Sequence, residues 1–138
     1  MRNSNKPKIT ISEADHVRLT DIALAAEDRA PEVTEELLAE IDRASIVPTG
    51  SVPSDVVQMG STVEYRTEAS QQRRVTLVFP GQADIDKGRI SIMTPIGTAL
   101  IGLSPGQSIE WTARDNRKHE LTVISVDPPE TSPARTEN

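Results

Sequence analysis

Cysteine is absent from the 138-residue chain. That excludes disulfides, thiol nucleophiles and zinc sites built on cysteine. Aromatic residues are almost absent too: Tyr65, Phe79 and Trp111 are the whole set. The core must therefore be aliphatic, and the stacking platforms that single-stranded nucleic acid requires are missing. The two histidines, His16 and His119, stand far apart. Neither has a second histidine at i+3 or i+4, so the sequence offers no metal site of that kind. A phosphate loop, a dinucleotide fingerprint and a nucleophile elbow are all lacking. No apolar run approaches a membrane span, and no N-terminal signal pattern is seen. These absences predict a soluble, cytoplasmic, single-copy protein with no cofactor, no metal and no membrane partner.

What is present is acid, unevenly placed. The net charge is -6. Residues 12–47 hold ten acids against three bases, whereas residues 48–138 hold eleven against nine. The excess negative charge thus belongs to one early segment, which nucleic-acid phosphates would repel. A basic protein surface would attract it. Arg73-Arg74 and Lys87-Gly88-Arg89 are too small to make a nucleic-acid patch.

The pattern along the chain predicts an α+β protein. Residues 1–7 are polar and read as a mobile end. Ser12 followed by Asp15 approximates a capping box. A helix then runs to about Glu27, with Val17, Leu19, Ile22, Ala23 and Ala26 as its apolar side. Pro31 suits the first position of a second helix, whose stripe is Val33, Leu37, Leu38, Ile41 and Ala44. So short a loop predicts an antiparallel helical hairpin, a short coiled coil, over 8–47. The Pro- and Gly-containing stretch that follows gives a linker at 48–55. A second unit follows at 56–127, with a polar, disordered tail at 128–138.

Within that second unit the strongest signal is Arg89 to Trp111. Ile90 and Ile92 alternate as in a strand with one buried face. Thr94 can cap a helix that begins with Pro95 and ends near Gly102. Pro105-Gly106 makes a turn, and Ile109 and Trp111 resume alternation. Arg73 to Phe79 and His119 to Val126 read as further strands, with a turn at Asp115-Asn116. The expected core of this unit is Val63, Val75, Leu77, Phe79, Ile90, Ile92, Leu100, Ile109, Leu121 and Val123, with Val126 also facing inward.

The block Ser91-Ile92-Met93-Thr94-Pro95-Ile96, Ala99-Leu100-Ile101-Gly102 resembles the C-terminal domain of the Gre transcript-cleavage factors. So does the upstream Gly81-Gln82-Ala83-Asp84 with Gly88-Arg89-Ile90-Ser91. The order of an acidic hairpin, then Pro53-Ser54-Asp55-Val56-Val57-Gln58-Met59, then Gly60-Ser61-Thr62-Val63, is similar to that of the Rnk family, regulators of nucleoside diphosphate kinase. The resemblance implies an FKBP-like antiparallel sheet domain with one helix. It also implies docking on RNA polymerase at the rim of the secondary channel, without direct nucleic-acid contact.

The positions that match the family's docking region are Asp84, Met93, Thr94, Pro95 and Ile96. Each also has a structural reading: Thr94 caps, Pro95 starts a helix and Ile96 packs. The hairpin tip, Glu27, Asp28 and Glu32, is a candidate channel contact. Gre factors use carboxylates at such a tip to hold catalytic magnesium. This tip lacks their D-L-x-E-N-A-E-Y motif, so no catalytic residue carries over. The expectation is a non-enzymatic regulator that docks and competes with Gre factors without promoting cleavage. The alternatives are an FKBP-like peptidyl-prolyl isomerase and a direct protein regulator of nucleoside diphosphate kinase.

Overall fold

The computed structural model describes residues 7–68, 71–112 and 117–129. Residues 1–6 of the expected mobile end at 1–7, the Asp115-Asn116 turn, and residues 130–138 of the expected tail at 128–138 lie outside the described residues. The elements are β1 (Thr10–Ser12), α1 (Glu13–Ala25), α2 (Pro31–Arg43), β2 (Ser45–Val47), β3 (Thr62–Thr67) and β4 (Gln72–Val78). Two 3-10 turns, Pro80–Gln82 and Ile85–Lys87, lead to β5 (Arg89–Ser91), α3 (Pro95–Leu100), β6 (Ser108–Thr112) and β7 (Lys118–Asp127). The result is a mixed α+β fold.

Ser12 caps α1 as its sequence position predicts, its hydroxyl accepting the Asp15 N–H at 3.1 Å. The reciprocal half of a capping box is not made. Asp15 instead turns its carboxylate away from its own helix and accepts the Met59 N–H at 3.4 Å. Pro31 opens α2 at a position where no amide hydrogen is needed. The two helices meet through Leu19 and Ala23 on one side and Leu37 and Ile41 on the other, all buried. Thr34, also buried, donates its hydroxyl hydrogen to the Ala23 carbonyl at 3.1 Å across the seam. Val17 departs from its expected place: it is 57% exposed. The buried line of α1 is narrow, passing through Leu19, Ala23 and Ala26, and Val17 lies about 200° round the helix from Leu19 at 100° per residue.

The base of the hairpin is closed by a parallel pairing of β1 with β2, Ile11 opposite Ile46. β2 ends at Val47, directly before the expected linker. Arg43 finishes the closure. Its guanidinium donates to the Pro7 carbonyl and, at 2.8 and 3.1 Å, to Oε1 of Glu40. Glu40 is only 3% exposed; pairing with Arg43 is what makes its burial tolerable.

The larger sheet has the order β5-β4-β3-β7-β6. Pairs β3–β4, β3–β7 and β6–β7 are antiparallel. The expected all-antiparallel sheet needs correction at one edge: β5 runs parallel to β4, Leu77 opposite Ile90. The two 3-10 turns form a crossover that carries the chain back before β5 begins, as parallel pairing requires. A register shift between Glu64 and Tyr65 leaves Ile124 unpaired in β7. This bulge moves the inward phase from Leu121 and Val123 to Val126, which packs against the core as expected.

Of the expected core residues, Val63, Leu77, Ile92, Leu100, Ile109, Leu121 and Val123 are buried. Val75, Phe79 and Ile90 are partly buried and pack against them. The same cluster continues without a break into Ile9, Ile11, Leu19, Leu37 and Ile41 of the hairpin. The hairpin and the sheet share one core.

The contact that joins them is main chain against main chain. Gly102 accepts the Thr10 N–H through its carbonyl at 3.3 Å and donates its own N–H to the Val57 carbonyl at 2.9 Å. Val57 in turn donates to Leu103 at 2.8 Å. Gly102 has φ of +82°, and a Cβ there would lie 2.6 Å from Cβ of Ile9 and 3.2 Å from the Thr10 backbone. Both the conformation and the space demand glycine. Two side-chain contacts reinforce the joint: Asp15 with Met59, and the Arg18 guanidinium 4.1 Å from the centre of the Phe79 ring.

Two outcomes follow from this joint. Gly102→Ala is expected to cost about 2 kcal/mol or more, from backbone strain plus overpacking. Hydrogen exchange should also accelerate at the Thr10 amide before the centre of the sheet opens. Urea unfolding and amide exchange check it, and an unchanged midpoint would refute the close approach. Asp15 has its carboxyl pKa raised, chiefly by burial, with the Met59 N–H and Arg18 opposing. The folded state therefore holds that proton more tightly than the unfolded chain. The associated stability is present at acid pH and is lost as pH rises through the raised pKa. Asp15→Asn keeps an acceptor for Met59 and should raise Tm at neutral pH relative to the parent, with the gain shrinking on acidification. A gain that instead grows toward low pH would give the shift the opposite sign.

Candidate functional site

Residues 91 to 98 form a tightly bonded knuckle. Ser91 accepts the Met93 N–H on its hydroxyl at 2.9 Å. The Ser91 carbonyl accepts the Thr94 hydroxyl at 2.7 Å and the Thr94 N–H at 3.2 Å. The Thr94 hydroxyl oxygen then accepts the Gly97 N–H at 3.1 Å and caps α3. Thr98 closes the set by donating its hydroxyl hydrogen to the Ile92 carbonyl at 2.9 Å. Gly97 is imposed by space: a Cβ there would fall 2.2 Å from the Ser91 carbonyl oxygen. Nearly every polar group of the turn has a partner, so it presents Pro95 in one fixed pose.

The knuckle brings together Met93, Thr94, Pro95 and Ile96, each half-buried. Met93 and Ile96 lean on the core from its edge. Asp84 is not beside them. It pairs with Arg89, main chain to main chain at 2.9 Å in both directions, at the start of β5. The knuckle follows the other end of that strand, about 10 Å further for three strand residues. The Asp84 carboxylate itself has no partner among the described residues. Beside it Ile85 is 86% exposed, an apolar side chain that sequence reading did not single out.

Pro95 also borders a pocket of about 200 Å³ between α2, α3 and β6. Its walls include Glu36 and Glu40 from the hairpin, Thr98 and Ala99 from α3, and Ile109 and Trp111 from β6. The Trp111 indole N–H is buried without an acceptor among the described residues. The Trp111 ring packs on His119, centroids 5.1 Å apart. His119 meets Glu68 through Nδ1 at 2.8 Å, and Glu68 accepts the Glu120 N–H at 3.0 Å. That backbone bond, with the histidine contact, holds the Glu68 carboxyl below the usual range.

The hairpin tip places Glu27, Asp28 and Glu32 in full exposure around the turn that the Ala26 carbonyl closes with Arg29 and Ala30. Glu27 and Glu32 line a common depression with Pro31, Glu35 and Leu38, which Asp28 does not line. Among the described residues, no group of three or more histidine, aspartate and glutamate side chains converges as a metal site. No helix among them is long and apolar enough to cross a membrane. The arrangement offers a rigid presenting surface.

Comparison with known proteins agrees with the architecture. Residues 52–128 match the family described as transcription elongation factor, GreA/GreB, C-terminal, and residues 7–47 match the Rnk N-terminus. The regulator of nucleoside diphosphate kinase of Escherichia coli K12 is 34% identical over 125 residues, covering 89% of this chain and 91% of that protein. Transcription elongation factor GreA of Rhodospirillum rubrum is 34% identical over 134 residues, covering 90% and 85%. A solved GreA/GreB elongation factor from Nitrosomonas europaea superposes with a TM-score of 0.70 at 35% identity, over 87% of this chain and 99% of that one.

The knuckle carries its own test. Thr94→Ser keeps the capping oxygen and should stay within about 0.5 kcal/mol of the parent, whereas Thr94→Val removes it and should cost about 1 kcal/mol. Denaturant unfolding measures both. Equal losses would mean that the hydroxyl is not the cap.

Proposed function

This chain belongs to the GreA/GreB family of factors, on its Rnk branch, and we propose that it is a regulator that docks on RNA polymerase without performing chemistry. The docking surface is the Pro95 knuckle, with Met93, Thr94 and Ile96 around it and Asp84 as a charged outlier at the far end of β5. The site is the rim of the secondary channel, where the protein occupies a place that a Gre cleavage factor needs. The compartment is the cytoplasm, where polymerase is.

One observation carries this reading: the hairpin is short and anchored. Each of its helices has 13 residues, about 20 Å at 1.5 Å per residue. Its base is bonded into the sheet at Gly102. A tip that does not extend far, and that brings no three carboxylates together among the described residues, cannot deliver a metal ion to a distant reaction centre. Docking without reach makes a competitor. The isomerase alternative is weaker, because such a cleft is typically walled by aromatics, and the pocket beside Pro95 has one aromatic and carboxylates on its hairpin side. The related Escherichia coli protein is named a regulator of nucleoside diphosphate kinase; no feature of this surface selects a kinase.

The test is a backtracked elongation complex. Added alone, the protein is expected to release no cleaved transcript. Added with a Gre factor, it should slow that factor's cleavage in proportion to occupancy, by mass action. Pro95→Ala should weaken the inhibition while circular dichroism stays unchanged. Cleavage by this protein alone, abolished by Glu27→Gln with Asp28→Asn, would overturn the proposal.

A further inference from the structure

The flank of the hairpin that faces away from the sheet has no use in the docking reading. α1 turns Asp15 and Arg18 toward the sheet. On its opposite side His16 and Thr20 border a depression of about 510 Å³, whose other wall is Glu35, Leu38 and Asp42 of α2. A second depression, of about 400 Å³, continues from Glu35 and Leu38 to Glu32, Pro31 and Glu27 at the tip. The two share residues and form one groove along α2 from Pro31 to Asp42, about 16 Å long at the helical rise.

Two independent features mark this groove. The first is apolar. Leu38 lies along its floor, with Pro31, Ala39 and Ile41 also in its walls, and Leu24, 53% exposed, continues the i, i+4, i+8 line of His16 and Thr20 along its edge. The second is charge. Glu27, Glu32, Glu35 and Asp42 line the groove, no lysine or arginine does, and none of the four carboxylates has a partner among the described residues. Arg18 and Arg43 are engaged elsewhere, on Phe79 and Glu40.

We propose that this groove is a second docking site, for a basic amphipathic helix of a protein partner. Two antiparallel helices leave a trough that a third helix fills by ridge-into-groove packing. An apolar stripe would cover Leu38 and Leu24, while lysines or arginines beside it would meet the carboxylate rim. Charge rejects the other occupants. Nucleic acid is repelled, and a second copy would set one acidic rim against another. The site lies on the side of the hairpin turned from the sheet, so it can be filled independently of the Pro95 surface.

The test uses the full chain, isotope-labelled, titrated with a helix-forming leucine–lysine peptide of amphipathic pattern. Amide shifts are expected at His16, Thr20, Leu24, Glu35, Leu38 and Asp42, with binding that weakens as salt rises. Glu35→Lys with Asp42→Lys should weaken binding about tenfold or more. Leu24→Ser, at a position exposed enough to leave folding intact, should weaken it without changing the salt dependence. A control peptide of equal charge with serine in place of leucine should bind far more weakly. Shifts confined to the sheet, equal binding of the serine peptide, or unchanged affinity after charge reversal would overturn the proposal. So would sedimentation showing that a second copy covers the groove.

Discussion

The structure depends on one place where two backbones touch. At Gly102 the chain leaving α3 passes within bonding distance of β1, and a single methyl group on that glycine would collide with Ile9. Because the approach is made by main chain, it admits almost no freedom of angle. The hairpin leaves the sheet in the direction that β1 imposes. Ile9 and Ile11, buried on either side of that crossing, extend the aliphatic core from one unit to the other. In a protein with three aromatic residues this continuity matters. Apolar burial scales with area, and the hairpin has no aromatic ring of its own; Tyr65, Phe79 and Trp111 all belong to the sheet side of the core.

Fixing the hairpin also sorts its charges. The flank of α1 nearest the sheet holds Asp15 and Arg18, each with a partner there. The Glu40 side of α2 faces the pocket beside Pro95, its charge met by Arg43. Of the ten acids of residues 12–47, four, Glu27, Glu32, Glu35 and Asp42, line the open flank. No lysine or arginine lines that flank beside them.

Local chemistry was legible in the sequence wherever a residue type has one main task. Ser12 and Thr94 as caps, Pro31 and Pro95 as helix starts, and the alternating Ile90 and Ile92 declare themselves without tertiary context. Features that need two distant segments were not legible. Asp15 reads as half of a capping box because its neighbour Ser12 is visible in the sequence and its true partner, the Met59 amide, is not. The strand at Ile46 and Val47 was hidden because its partner, β1, lies on the far side of both helices. Glu40 reads as one more exposed acid until Arg43 and Pro7 are seen around it. The parallel edge strand β5 was hidden for the same reason: strand propensity does not report direction, and only the crossover through the 3-10 turns sets it. Of the proposed docking residues, the four contiguous ones were placed together by sequence alone. Whether Asp84 joins them depends on the length of β5, which separates them.

A rigid knuckle and a rigid joint bear on function in the same way. Docking costs less when the presented surface loses no freedom on binding, and the Ser91–Thr94–Gly97 bonding removes that freedom in advance. The same economy forbids compensation elsewhere. A hairpin held at its base by backbone bonds cannot swing to bring its tip nearer a target, so its reach is set by helix length alone. Thirteen residues fix that reach, and the tip turn adds little to it. A longer hairpin on the same joint would probe deeper without any change to the sheet or to the Pro95 surface. Length of hairpin and chemistry of tip are therefore separable from docking in this architecture: one fold can hold a partner in place and differ only in what, and how far, it extends.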